Sequence, residues 1–159
     1  MSAIDQSDVL FDNVSIIGSN NISSNVDKLG GTRVVATPAG NYGVGAGNPK
    51  YLSISAGPAN WGGTGGTVAL LTSDTTTGTG SSVSLVSPTT VWTSPTLVSS
   101  NVLANTPIAK FALFSYPQIL SYIQLLWTPT TSGLTSGTMN AFISSDIQEY
   151  NRSVMPVVG

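Results

Sequence analysis

The chain has 159 residues, a net charge of -2, and only five Lys or Arg and seven Asp or Glu, while 42 of its residues are Ser or Thr. It contains no histidine and no cysteine, so the usual general base near neutral pH and the strongest side-chain nucleophile are both missing. The basic residues Lys28, Arg33, Lys50, Lys110 and Arg152 are scattered, which leaves no phosphate-binding stripe and speaks against direct nucleic-acid binding; no window approaches the run of about 18 apolar residues of a membrane span.

In chain order, residues 1–26 come first. They hold isolated apolar side chains (Leu10, Phe11 and Ile16 among them) between asparagines and serines, a pattern too dilute for a core element. The expectation is an extended N-terminal arm that either drapes over its own domain or reaches a neighbour. A single domain is expected over 27–150 and a tail over 151–159.

Within the domain, short β-rich segments are punctuated by 17 glycines and nine prolines. Strands are predicted at 33–36, 51–56, 67–72, 82–86, 90–93, 96–103, 108–115, 122–128 and 138–144. Segment 51–56 alternates Leu52, Ile54 and Ala56 against Ser53 and Ser55, whereas 67–72 is apolar on both faces, as a central strand is. In 138–144, Met139, Ala141 and Ile143 share a face. Residues Ile119, Leu120, Ile123 and Leu126 also fit a helical stripe. Pro117 before them and Pro129 after them favour a strand from about Tyr122.

Two glycine-rich loops, 37–49 and 57–66, each present one aromatic, Tyr42 and Trp61. An aromatic on a loop is a candidate interface anchor, although a ring of that size more often folds back over its own domain. The tail brings Val154 and Met155. Candidate contact residues are therefore Leu10, Phe11, Ile16, Tyr42, Trp61, Val154 and Met155.

Searches for chemistry return little. Gly43, Gly45 and Gly47 have no following helix or Lys-Ser/Thr pair, so they do not make a phosphate loop. Asp5, Asp8 and Asp12, and the pair Asp146 and Glu149, lack the oxygen ligands and glycine turn of a calcium loop. No serine sits in a nucleophile elbow. The Asn-x-Ser triplets at Asn13, Asn21 and Asn151 are what an Asn/Ser-rich chain produces by chance. No catalytic residue, cofactor, metal or small-molecule substrate is expected.

About eight antiparallel strands with turns between them imply two sheets that cover each other, and two sheets of four make a jelly roll. The order of segments resembles a known family. The run from Val9 through Asn25-Val-Asp-Lys-Leu-Gly30, then Gly45-Ala-Gly-Asn-Pro-Lys-Tyr-Leu-Ser-Ile54 and Thr67-Val-Ala-Leu-Leu-Thr-Ser-Asp74, is similar to the jelly-roll capsid cement (head decoration) proteins of tailed bacteriophages. Ser121-Tyr-Ile-Gln-Leu-Leu-Trp127 and Ser136-Gly-Thr-Met-Asn-Ala-Phe-Ile-Ser-Ser-Asp146 continue the likeness to that family's closing strands. The resemblance implies a homodimer or homotrimer on the outer surface of a phage head, made in the host cytoplasm, that bridges copies of the major capsid protein. A second possibility is a carbohydrate-binding β-sandwich or phage fibre module, with Tyr42, Trp61, Trp92 and Trp127 stacking on sugars. Trp127, inside an apolar strand, is better placed for a core.

Overall fold

The computed structural model describes residues 9–24, 26–28, 51–79, 83–113 and 119–144. Over these the chain forms β1 (Val9–Ser15), β2 (Ile22–Ser23), β3 (Asp27–Lys28), β4 (Tyr51–Ala56), β5 (Gly62–Gly63), β6 (Gly65–Ser73), β7 (Thr76–Thr77) and β8 (Ser84–Leu85). Then follow β9 (Thr89–Thr93), β10 (Leu97–Val98), the 3-10 turn Ser99–Asn101, β11 (Pro107–Ala112), β12 (Tyr122–Pro129), β13 (Leu134–Ser136) and β14 (Thr138–Ser144).

Two antiparallel sheets make the body. One has the order β1-β14-β4-β11; the other has the order β10-β6-β12-β2, with β3 also on β12 and β9 also on β6. The short strands of the second sheet belong together in pairs. β2 and β3 lie in succession along the far edge of β12, opposite Leu126–Trp127 and Tyr122–Ile123. β9 and β10 do the same along β6. Each pair is one interrupted edge strand, so both sheets are effectively four strands wide, which is compatible with a jelly roll.

Period-two patterning places the core between the sheets. Leu52, Ile54 and Ala56 of β4 face inward beside Ile143, Ala141 and Met139 of β14, their register partners. Val68 and Leu70 of β6 meet Trp127 and Leu125 of β12 in the same way. All of these belong to a single buried cluster. At one margin, Trp92 of β9 and Phe111 of β11 close the gap between the sheets, with ring centroids 5.1 Å apart.

Segments 51–56 and 138–144 form strands over the expected residues, and 67–72 lies within the central strand β6. The ambiguous stretch is strand β12, since alternate residues Ile123, Leu125 and Trp127 are buried. The N-terminal expectation needs correction. Residues 9–15 are β1, paired with β14, and Leu10, Phe11 and Ile16 are core residues rather than parts of an arm too dilute for a core element. Their sparse spacing arises because β1 is bulged: its register shifts twice, and Asn13 adopts φ 48° at the second shift. Segment 96–103 is likewise not one strand; β10 stops at Val98 and the 3-10 turn follows. Segment 33–36 and the tail 151–159 lie outside the described residues.

Candidate contact surface

Strand polarity collects four segments at one end of the sandwich: residues 15–22 after β1, 57–65 between β4 and β6, 94–106 between β9 and β11, and 130–137 between β12 and β14. Backbone and side-chain hydrogen bonds knit these segments together. The Gly18 amide donates to the Leu134 carbonyl (2.9 Å), Thr64 to Gly133 (2.9 Å), Trp61 to Val102 (3.2 Å) and Asn105 to Gly57 (2.8 Å). The Ser99 hydroxyl donates to the Gly63 carbonyl, and the Asn60 side-chain oxygen accepts the Ala104 amide at 2.7 Å. Thr64 and Thr130 place their hydroxyls 2.6 Å apart, and the Thr64 hydroxyl donates to the Gly133 carbonyl at 2.8 Å. Loops satisfied in this way hold one shape, because the polar backbone has partners within the protein.

Trp61 is the plug beneath this end. Its ring packs edge-on against Trp127, centroids 5.3 Å apart at 75°, and its indole N–H donates to the Thr138 carbonyl at 3.0 Å. The first contact is with the six-stranded sheet and the second with the four-stranded sheet, so one side chain ties both together. Two glycines make room for the rings. A Cβ at Gly137, where φ is 133°, would stand 2.5 Å from Trp61 Cδ1, and one at Gly66 would stand 2.6 Å from Trp127 Cζ2.

The outer surface of this end has an unusual chemistry. Segments 15–22, 57–66, 94–107 and 130–137 contain no Asp, Glu, Lys or Arg. The charged residues among those described are elsewhere: Asp12 and Lys110 within β1 and β11, Asp27 and Lys28 in β3, and Asp74 just past the opposite end of β6. Of the exposed large apolar side chains, Ile17 (50 % exposed), Val98 (45 %) and Leu103 (59 %) belong to the uncharged end, and Val86 to the other. Ile17 bridges to Leu134, Val98 pairs with Gly65, and Leu103 sits beside Val102 and Ala104, which are bonded to Trp61 and Asn60.

Of the contact residues expected from sequence, Leu10, Phe11, Ile16 and Trp61 are buried in their own chain and present no free surface. Trp61 folds back over the end of its own sandwich, as large loop aromatics commonly do. Tyr42, Val154 and Met155 lie outside the described residues. Ile17, Val98 and Leu103 were not singled out. Ile17 adjoins the buried Ile16 and is indistinguishable from it in composition, while Val98 and Leu103 fall in a segment that reads as one continuous strand. The missing signal was local: the charge-free stretches could be read directly from the sequence.

Chemistry of other kinds finds little purchase. Among the described residues no three Asp or Glu side chains converge as a metal site would require. None of the three tryptophans forms an open platform, since Trp61 and Trp127 are buried and Trp92 is half-buried against Phe111. No protein-family model matches the chain, and no curated protein matches it.

Proposed function

We propose that this chain is a capsid cement protein of a tailed bacteriophage, a jelly roll that attaches to the outside of the head, bridges copies of the major capsid protein and acts by binding rather than by turnover. The observation that carries the reading is the uncharged end, with Ile17, Val98 and Leu103 exposed on a hydrogen-bonded, tryptophan-plugged base. The strand order, with β1 beside β14 and β6 beside β12, and the resemblance of the strand segments to that family support it.

A neutral surface of hydroxyl, amide and apolar groups docks without desolvating ions. Individual contacts of this kind are modest, because ordering and association costs offset most of the apolar gain. Repetition over a closed lattice converts them into firm retention through effective concentration. A protein that binds only the assembled shell stabilises that shell by linkage.

Quantitative mass spectrometry of purified virions tests the reading. Copies in the hundreds per particle are expected; a handful per particle would place the chain in a tail or fibre, and absence would remove it from the virion.

A further inference from the structure

The second register shift in β1 answers no need of the core. The first, between Val9 and Phe11, lets the consecutive residues Leu10 and Phe11 both be buried. The second falls between Phe11, opposite Ala141, and Val14, opposite Met139, so that β1 holds one residue more than β14 requires. Without Asn13 the ladder would be regular. Asp12 would stand opposite Asn140, Phe11 and Val14 would still turn toward the core, and Asp12 and Ser15 would still turn away from it. The fold nevertheless fixes the extra residue in place. Asn13 takes φ 48°, its amide donates to Asn140 Oδ1 at 2.6 Å, and the Thr138 hydroxyl donates to its side-chain oxygen at 2.5 Å. Gly57 leaves room for that pair, since a Cβ there would stand 2.7 Å from the Asn13 oxygen.

What the bulge changes is the outer side of the strand. β1 ends its sheet, with no described strand beyond it. An edge of this kind is a template for another strand, and a net charge of -2 gives copies of the chain little mutual repulsion at a distance. A bulge bends and twists the edge, so a straight strand can match it over only a few residues. Asp12, exposed beside the bulge, adds a carboxylate that would meet its own copy or a near neighbour if two β1 edges paired across a two-fold axis. The scarce charges follow the same placement elsewhere. Among the described residues Asp12, Asp27, Lys28 and Lys110 lie in edge strands, and only Asp74 does not.

We propose that Asn13 and Asp12 guard this edge, preventing copies of the chain from joining sheet to sheet through β1. The guard is independent of what the uncharged end binds, and it matters most where many copies are crowded together.

Two charge variants make the comparison. Asp12→Asn and Asp74→Asn change the net charge equally, but only the first lies on the edge, and asparagine at 74 keeps a side-chain oxygen to accept from Ser121. Light scattering of the folded full chain over a concentration series should show Asp12→Asn associating at a severalfold lower concentration than the parent, deletion of Asn13 doing the same, and Asp74→Asn matching the parent. Hydrogen exchange in the associated species should newly protect amides between Phe11 and Ser15. Asp12 is exposed, so its variant should keep the unfolding midpoint of the parent; if the deletion does not fold, the comparison of the two charge variants decides alone. Equal behaviour of Asp12→Asn and Asp74→Asn, a folded deletion variant no more prone to associate than the parent, or association that leaves the β1 amides unprotected would overturn the proposal.

Discussion

Two tryptophans in contact occupy different polar circumstances. Trp61 donates its indole N–H to Thr138, whereas the Trp127 indole N–H is fully buried with no acceptor in reach. Replacing either by phenylalanine removes similar volume, so the difference between the variants isolates the hydrogen bond. Trp61→Phe loses a net contribution of about 1 kcal/mol and Trp127→Phe sheds an unsatisfied donor that costs about 1–3 kcal/mol. Urea denaturation should therefore find Trp61→Phe the less stable of the two, despite the deeper burial of Trp127. A residue-level steric prediction accompanies it. Gly137→Ala places a methyl against Trp61 in a backbone conformation that disfavours any side chain, and should cost on the order of 1–3 kcal/mol in the same assay. Lys110 supplies the pH dependence. Burial of its ammonium lowers its pKa from the ordinary 10.5, so the unfolded chain binds more protons than the native one between the lowered value and 10.5, and stability rises with pH across that window. The penalty on the charged form is present in full below it. Lys110→Arg, which does not titrate there, should remove the contribution of Lys110 to the rise in unfolding midpoint as the pH approaches 10.5.

At the level of elements, serine hydroxyls repair the interrupted edge strands. Where β2 gives way to β3, the Ser24 amide donates to the Leu125 carbonyl (2.8 Å) and the Ser24 hydroxyl accepts the Leu125 amide (2.8 Å). Where β9 gives way to β10, the Ser94 amide donates to Val68 (2.8 Å) and its hydroxyl accepts the Val68 amide (3.0 Å). The same device on both edges lets a ladder continue across a kink that Pro95 imposes on one side. Ser24→Ala and Ser94→Ala should each cost about 1–3 kcal/mol by leaving a buried N–H unpaired, and native-state hydrogen exchange should show Leu125 and Val68 as the amides that lose protection. This device also marks how far the sequence could be read. Strands β4 and β14 carry a period of two because each has one face on the core and neighbours on both sides, while the near-continuous apolar runs of β6 and β12 mark the central strands of the other sheet. β1, β2, β3 and β10 are edge strands, bulged or broken, and their hydrophobic spacing carries no period. The all-β sandwich was legible for that reason. The charge-free stretches of the contact end were legible too, but their convergence was not, because loop residues such as Leu103 are positioned by hydrogen bonds between segments about 40 to 70 residues apart, as between Asn60 and Ala104 or Thr64 and Gly133.

For the whole molecule, scarcity of charge governs the response to solution conditions. Twelve charged side chains, five tyrosines and no histidine leave no side-chain group with an ordinary pKa between about 6 and 9. The unfolding free energy should stay constant within about 0.5 kcal/mol over that range, and respond as weakly to sodium chloride at low to moderate concentration, since exposed pairs contribute little. The proposed attachment to particles should share this indifference, and release of the protein by moderate salt alone would contradict docking through the neutral end. The pairing of β1 with β14 has a kinetic corollary. Val9 lies opposite Phe142 and Ser15 opposite Thr138, so the earliest described strand can find its place only after the latest has been synthesised. Until then Leu10 and Phe11 have no layer to cover them, and a nascent chain displays these side chains throughout most of its translation. Closure of the sandwich is thus a late, slow, nonlocal event, and a chain shortened before Thr138 forfeits at once the inner strand β14 and the edge strand β1 that pairs with it.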